Sequence, residues 1–307
     1  MGKISSVVAI GGVFAPLLLG ILGGTLIGLS IEHSVVIGLI LTATSVGVTV
    51  RTLMDLNVLD TDVGTTILGS AVIDDVLAII LLAFALGVHG SLINVAIVGV
   101  KIAIFFLIFL LLGLKIIDKI LDIGEKIQLP KAFLSISLAI LLIYSYFADR
   151  AEISGIIGAF IAGLLIGHSI KSRKIEEDIK TIGYGFFIPI FFVWVGITLW
   201  SGTENGFPPL FETLTLITLV ITVGIVGKLL GSAICARISG MNAKESLQIG
   251  VGMLPRMELA LIIVTAAVSR NVIEGVIAQQ FLIATITLTI VTTLITPVFI
   301  KVLFKNN

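Results

Sequence analysis

The chain consists of long apolar segments separated by short polar ones, a pattern that predicts membrane-spanning helices. About 20 apolar residues suffice to cross the hydrocarbon core of a bilayer as a helix. Ten segments qualify, at about 5–29, 34–53, 63–88, 93–117, 131–148, 152–170, 181–200, 210–236, 245–269 and 278–304. Connections are short apart from segment 115–131 and the charged stretch 171–180, and we interpret the latter as a solvated loop.

The amino-acid composition supports this pattern. Hydrophobic residues make up 57% of the chain and charged residues only 12%, whereas a soluble domain has about 25% charged residues. The mean hydropathy is +1.21. We therefore predict an all-α polytopic membrane protein with almost no room for a soluble domain. The formal net charge of +0 suggests no nucleic-acid partner, and the single Cys235 excludes an internal disulfide framework.

Basic residues are unevenly distributed between the loops on the two sides of the predicted spans. One side carries Lys3, Arg51, Lys115, Lys119, Lys126, Lys131, Lys171, Arg173, Lys174, Lys180, Arg237, Lys244, Lys301 and Lys305. The other side carries only Arg150 and Arg270. Because cytoplasmic loops are the ones enriched in Lys and Arg, we expect both termini to be cytoplasmic.

Two adjacent carboxylates, Asp74 and Asp75, lie in the middle of an apolar run from about Thr65 to Val88. A charged side chain at the bilayer centre costs about 2.5 kcal/mol or more, so such residues are usually functional. Two neighbouring acids are costly to keep ionised together, so one must hold a proton, bind a cation or pair with a base. This is the chemistry of a site that exchanges protons for metal cations. The alternative is a neutralised pair that only fixes helix packing.

Two predicted spans are interrupted near mid-membrane. In Leu41–Val50, Gly47 and four hydroxyl side chains weaken the helix. Those hydroxyl residues are Thr42, Thr44, Ser45 and Thr49. In Gly250–Glu258, Pro255 removes a backbone donor and Gly252 lies just upstream. Interruptions at corresponding positions in two halves are typical of secondary transporters, although an ordinary kinked helix would explain either one alone.

The predicted order of spans contains an inverted repeat. The first three spans and the last three run in opposite senses across the membrane, and each triplet has an interrupted span in its middle. Inverted repeats with broken helices are the plan of many secondary transporters. Sequence identity between the triplets is not obvious, so this inference depends on topology.

Charged residues inside the spans have similar predicted depths. At 1.5 Å per residue, Asp74 and Asp75 lie roughly 17 Å from the cytoplasmic end of their span. Arg256 and Glu258 lie at roughly 17 and 20 Å. Lys228 lies about 12 Å deep, and its side chain reaches roughly 6 Å further. All five can therefore meet. Adjacent helical residues point about 100° apart, so one acid would face Lys228 and the other the cavity.

Several of these stretches resemble the monovalent cation/proton antiporters of the double-aspartate type, and the resemblance extends from about Gly11 to Pro297. The matching segments are Gly69–Leu77, Ala43–Ser45, Val50–Leu53, Gly252–Glu258, Val226–Lys228 and Phe186–Val193. The resemblance implies an NhaA-like antiporter fold: about ten transmembrane helices with inverted three-helix repeats and two broken crossing helices. It also implies exchange of Na+ or Li+ for protons by alternating access.

The resemblance implies a role for individual site residues. Asp75 would be the ion-binding carboxylate, and Asp74 would pair with Lys228 when the cation is absent. The transported Na+ would therefore bind at these two acids. Thr44 and Ser45 would line the cavity. Family members that have the lysine tend to be electrogenic, exchanging two protons for one sodium ion.

Residues around the second interruption have structural interpretations. Arg256 and Glu258 are two positions apart and would not face each other on an intact helix. A structural role at the break is therefore favoured over direct ion ligation. Gly47, Gly252 and Pro255 would serve to interrupt the helices.

The resemblance also implies a domain organisation. Residues 1–92 and 209–307 would form the two halves of a transport core, and residues 93–208 would supply panel and dimerisation helices. We expect a homodimer in the inner (plasma) membrane of a prokaryote, with no cofactor. The family usually has two or three further helices before the one that starts near Ser5, so the chain is expected to be a shortened form or a fragment.

Two other functions are compatible with parts of the pattern. A K+/H+ antiporter or K+-efflux-type transporter of the same fold would use the same core. A di-aspartyl intramembrane protease would also place two acids in the membrane, but its acids normally lie on separate helices, whereas Asp74 and Asp75 are adjacent on one.

Overall fold

The computed structural model describes residues 2–45, 47–87, 92–126, 130–151, 155–169, 172–201 and 208–304. All regular elements in these ranges are helical. They are α1 (Gly2–Leu26), α2 (Ile31–Thr42), α3 (Gly47–Asp55), α4 (Asp62–Gly87), α5 (Leu92–Lys126), α6 (Ala132–Arg150), α7 (Gly155–His168), α8 (Ser172–Ile182), a π-helical turn (Gly183–Phe187), α9 (Ile188–Ser201), α10 (Leu210–Ile238), α11 (Ala243–Gly252), α12 (Glu258–Ser269) and α13 (Gly275–Phe304). Of the basic loop residues, Lys171 and Lys305 lie outside the described residues, as do the side chains of Lys126, Arg173 and Lys174.

Six stretches within these ranges are long and apolar enough to cross a membrane. They are Gly2–Leu26, Ile31–Asp55, Asp62–Leu82, Ala132–Arg150, Leu210–Ile238 and Gly275–Phe304. Large apolar side chains such as Leu142 and Leu294 are exposed on their outer faces, as expected where lipid rather than water surrounds a helix. The chain is therefore a polytopic helical membrane protein.

The chain divides into two compact units, which we name the first unit (residues 1–82 and 199–307) and the second unit (residues 83–198). In the first unit, α1 packs against α10 and α2. Glycines allow these backbones to approach closely. A Cβ on Gly20 would lie 2.7 Å from Gly38 Cα, and a Cβ on Gly227 would lie 2.9 Å from Pro16 Cα.

The second unit contains α5 to α8, and α6 packs closely on α7. The Ser145 hydroxyl donates to the carbonyl of Gly155 at 2.7 Å, and the Ser169 hydroxyl donates to Asp118 at 2.6 Å. The first contact joins α6 to α7 and the second joins the end of α7 to α5, at points where lipid could not satisfy the groups.

The interpretation of 171–180 as a loop was wrong, because Ser172–Ile182 forms helix α8. Within the charged run, Ile175 and Ile179 are spaced four residues apart and so lie on one face of a helix. Ile175 is buried. On the polar face, Lys180 pairs with Glu176 at 2.6 Å in the i,i+4 relationship that favours helices. This hydrogen bond raises the pKa of the Lys180 ammonium. Helix α5 likewise continues to Lys126 instead of ending near residue 117.

Two membrane segments are interrupted in the first unit. Helix α2 ends at Thr42, Ala43 is extended (φ −57°, ψ 136°), and α3 begins at Gly47. Helix α11 ends at Gly252, and α12 begins only at Glu258.

The second interruption follows from its proline. Pro255 has no N–H to offer the carbonyl of Val251, and this carbonyl accepts instead from the N–H of Leu254 at 3.1 Å. The other end of α11 is well defined, since Asn242 and Glu245 form a reciprocal capping box there.

Candidate functional site

The two interruptions are hydrogen-bonded to each other. The N–H of Ser45 donates to the carbonyl of Pro255 at 2.8 Å, and the Thr49 hydroxyl donates to the carbonyl of Gly252 at 2.7 Å. The Ser45 hydroxyl also lies 3.3 Å and 3.4 Å from the two carboxylate oxygens of Glu258. Each broken helix therefore satisfies backbone groups that the other has freed.

A buried ion pair lies beside the first interruption. The Lys228 ammonium on α10 donates to Asp74 Oδ1 on α4 at 2.7 Å, and neither side chain is exposed to solvent. Removing either partner of such a pair leaves an uncompensated buried charge, which is strongly destabilising. The fold therefore depends on keeping Asp74 and Lys228 together.

Lys228 has a second acceptor, the carbonyl of Thr42, also at 2.7 Å. Thr42 is the last residue of α2, so its carbonyl has no partner within the helix. This end of the helix also carries the negative end of the α2 dipole, which favours a nearby cation. Lys228 consequently connects the acid on α4 to the broken end of α2.

Arg256 is completely buried, and it bonds to backbone carbonyls. Its guanidinium donates to the carbonyls of Leu41 at 2.7 Å, Leu254 at 2.9 Å and Gly224 at 3.0 Å. Among the described residues no carboxylate is hydrogen-bonded to it. Its backbone N–H donates to the Thr292 hydroxyl at 3.2 Å. Arg256 thus ties together α2, α10 and the second interruption.

Asp75 differs from its neighbour in its surroundings. Asp74 is fully buried, whereas Asp75 is half-buried, because successive residues of α4 point in different directions. Asp74, Lys228 and Glu258 all interact electrostatically with Asp75. Glu258, at the start of α12, is exposed. Asp75 and Glu258 therefore form the more accessible, acidic part of the site.

The remaining predicted residues surround this acidic part. Thr44 and Ser45 lie between α2 and α3, both are buried, and the Thr44 hydroxyl has no partner. A Cβ on Gly252 would lie 2.5 Å from the end of the Ile67 side chain, so a larger residue there would displace that side chain. A Cβ on Gly47 would meet nothing within 4 Å, so packing does not require that glycine.

Sequence reasoning did not identify the Thr42 carbonyl or Thr292 as partners in this site. Hydroxyl residues are frequent in α13, but most of them bond within their own helix, as Thr292 does with the carbonyl of Leu288 at 2.8 Å. Nothing in the sequence distinguishes Thr292, whose hydroxyl also accepts a hydrogen bond from the Arg256 N–H, from the other hydroxyl residues of α13. The position of Thr42 before the first interruption was the available signal for its free carbonyl.

Residues 1–306 match the family model described as the transmembrane sodium/hydrogen exchanger. The chain belongs to the sodium/hydrogen exchanger family. The matched range includes every residue of the site and both units, so the resemblance seen in the sequence motifs is confirmed.

Several named relatives are similar to this protein over most of the chain. The probable Na+/H+ antiporter GerT of Bacillus cereus is 38% identical over 272 residues, which cover 88% of this chain and 71% of that protein. The Na+/H+–K+ antiporter GerN of Bacillus cereus is 36% identical over 98% of this chain and 75% of its own length. The Na+/H+ antiporter of Enterococcus hirae is 33% identical over 97% of this chain and 78% of its own length.

The site of this sodium/hydrogen exchanger family member offers oxygen ligands. Carboxylates, hydroxyls and backbone carbonyls are the groups that bind hard cations, whereas thiolates and imidazoles favour softer metals. Asp74 is bonded to Lys228, whereas Asp75 is half-buried and is not part of that pair.

Proposed function

We propose that this protein is a secondary active transporter that exchanges Na+ or Li+ for protons by alternating access, and that it is not an enzyme. The observation that carries the proposal is the contrast between the two adjacent acids. Asp74 is fully buried and bonded to Lys228, whereas Asp75 is half-buried beside Glu258 at the end of the second interruption. The relatives named as Na+/H+ antiporters support the same activity.

In this proposal Asp75 is the carboxylate for which a proton and a cation compete. A protonated Asp75 has no net charge to attract Na+, and a bound Na+ prevents protonation. Competition for one group gives exchange without a separate coupling device. Thr44, Ser45 and Glu258 would surround the bound ion with further oxygens, and the transported Na+ is the substrate, so no resident cofactor is required.

Lys228 would make the exchange electrogenic. A cation that binds near Asp74 competes with the Lys228 ammonium for the same carboxylate. Once the ammonium has lost this partner, burial disfavours its charged form, and the amine releases its proton. One proton would then come from Asp75 and one from Lys228 for each Na+ bound. The two groups would titrate as a coupled system rather than independently.

The architecture would serve alternating access. We propose that about ten spans form an NhaA-like fold, in which α1–α4 and α10–α13 form inverted halves of a moving core. Residues 93–208 would supply panel helices and the contacts of a homodimer. Both termini would be cytoplasmic in a prokaryotic plasma membrane, given the distribution of basic loop residues.

K+/H+ exchange by the same site is the second candidate function. A relative that is 36% identical is named a Na+/H+–K+ antiporter, and the oxygen ligands here would suit K+ as well. A di-aspartyl protease is not supported, because Asp74 is fully buried and bonded to Lys228, so the two acids are not arranged to share a catalytic water.

Proteoliposomes with an imposed pH gradient test the proposed function. Na+, Li+ and K+ are added separately, with and without a valinomycin clamp of the membrane potential, and lumenal pH is recorded. We expect Na+ and Li+ to dissipate the gradient, with a rate that depends on the clamp. Dissipation by K+ alone would favour the second candidate, and no response to any of the three cations would refute cation/proton exchange.

A further inference from the structure

Four buried polar atoms without hydrogen-bond partners lie on one side of the Asp74–Lys228 pair. They are the hydroxyls of Thr66, Ser70 and Ser232 and the second carboxylate oxygen of Asp74. All four residues are 0% exposed. A buried polar group left unsatisfied costs about 1–3 kcal/mol. Such groups in a membrane protein core therefore require an explanation.

The helical positions place these residues in a line. Thr66, Ser70 and Asp74 are four residues apart on α4, so they follow one face of this helix toward its N-terminal end. Ser232 is four residues beyond Lys228 on α10, toward the C-terminal end of that helix. We call Thr66, Ser70 and Ser232 the hydroxyl line.

Contacts with α1 show that both parts of the hydroxyl line lead to the same end of the first unit. Near the start of α1, the Ser5 hydroxyl donates to the carbonyl of Thr66 at 3.3 Å. A Cβ on Gly12 would lie 2.6 Å from Ser232 Oγ and 3.7 Å from Lys228 Nζ. The hydroxyl of Ser232 and the ammonium of Lys228 therefore flank one point on α1, a separation that a water molecule can bridge.

The surroundings of the hydroxyl line are apolar. Val8, Ile67 and Ala71 are buried nearby in one hydrophobic cluster. Ser70 would ordinarily bond to the carbonyl four residues earlier, but that carbonyl belongs to Thr66 and accepts from Ser5. Isolated waters with two to four polar partners are the usual way to satisfy such groups.

We propose that the hydroxyl line holds water molecules and conducts protons between the end of the first unit where α1 begins and the Asp74–Lys228 pair. This path is separate from the cavity at Asp75, and it deepens the proposed function, on which it rests. Each hydroxyl or water accepts one hydrogen bond and donates the next, so that a proton taken up at the surface is matched by one delivered to Asp74 Oδ2 or the Lys228 amine.

Several charged side chains surround the end of this path. Lys228 interacts electrostatically with Asp74, Asp75 and Arg256, and Asp75 interacts with Glu258. A change in the pH dependence of exchange alone would therefore be ambiguous. The tests below use maximal rate and chemical accessibility instead.

The first test removes hydroxyls without changing charge. Thr66→Val, Ser70→Ala and Ser232→Ala, combined in one chain, are expected to lower the maximal exchange rate about tenfold, equivalent to ~1.4 kcal/mol in the barrier. The KM for Na+ and the melting temperature should stay at wild-type values. The matched control is Thr65→Val with Thr218→Val, whose hydroxyls bond to Thr61 and Leu214 carbonyls within their own helices. A triple variant that exchanges at the wild-type rate overturns the proposal.

The second test measures water access directly, with Ag+ as the thiol probe in a Cys235→Ser background that still exchanges. Aqueous Ag+ should react with the thiols of the Ser70→Cys and Ser232→Cys variants in the folded protein. Those thiols should then no longer be alkylated when the protein is unfolded in denaturant. Val72→Cys, whose position is 56% exposed toward lipid, and Ala78→Cys, 0% exposed and one turn beyond Asp74, should not be protected. Equal protection at all four positions, or none at 70 and 232, overturns the proposal. Labelling does not depend on transport, so a failure of this path is distinguishable from a failure of exchange.

Discussion

The Lys228 ammonium lies as close to the carbonyl of Thr42 as to the carboxylate of Asp74, at 2.7 Å in each case. One cation thus neutralises an acid on α4 and the broken end of α2 at the same time. Any event that draws Lys228 away from Asp74 also releases the end of α2. In the proposed function, cation binding would therefore be coupled through this single group to the end of α2 at the first interruption.

Asp75→Asn should abolish exchange, because an amide cannot take up a proton or balance the charge of Na+. The side chain is half-buried and is not part of the Lys228 pair, so the protein should still fold. Na+-driven proton release in everted membrane vesicles measures the effect. Asp62→Asn at the exposed start of α4 is the control, and normal release in the Asp75 variant would refute the assignment.

Lys228→Ala should destabilise the protein by about 3–5 kcal/mol, because it leaves Asp74 as an unpaired buried charge. Asp74→Asn combined with Lys228→Met removes both charges and should recover most of the loss. Melting temperatures in detergent report this difference. A single variant as stable as wild type would argue against the pairing.

The sequence was most informative where side-chain chemistry conflicts with the membrane. Charged residues in apolar segments were readily identified, namely Asp74, Asp75, Lys228 and Arg256. Pro255 indicated the second interruption because it lacks a backbone N–H. Helical geometry also predicted that adjacent acids face different surroundings, although only the family resemblance indicated that Asp74 is the one paired with Lys228.

Other features could not be predicted, because they depend on tertiary contacts with backbone atoms. The carbonyls that bind Arg256 come from α2, α10 and the second interruption, and no residue type identifies a carbonyl acceptor. Helix α8 was missed for a different reason: its isoleucine period is short and lies within a highly charged run.

Arg256→Met should destabilise the protein and reduce its abundance, because carbonyls of Leu41 and Gly224 lose a buried donor. Each buried carbonyl left unsatisfied costs about 1–3 kcal/mol. Arg256→Lys retains a donor and should be intermediate in melting temperature. If the Met variant has wild-type stability and only its cation affinity changes, then Arg256 acts in ion binding and the structural role is wrong.

Ser45→Ala removes the hydroxyl that bonds to Glu258 across the two interruptions. Loss of one hydrogen bond to a charged group is worth about 1.5 kcal/mol, so the KM for Na+ should rise roughly tenfold while the maximal rate changes little. Thr52→Ala on α3, whose hydroxyl bonds to Val48 within the helix at 2.8 Å, is the control. Equal KM values in the two variants would exclude Ser45 from the ion site.

Na+ dependence of the exchange rate at a series of pH values tests the central claim most directly. If proton and cation alternate at Asp75, lowering the pH protonates the acid and raises the apparent KM for Na+, by up to about tenfold per pH unit on the acid side. The maximal rate at saturating Na+ should stay nearly constant over the same range. An apparent KM that does not change with pH, accompanied by a falling maximal rate, would contradict competition at a single carboxylate.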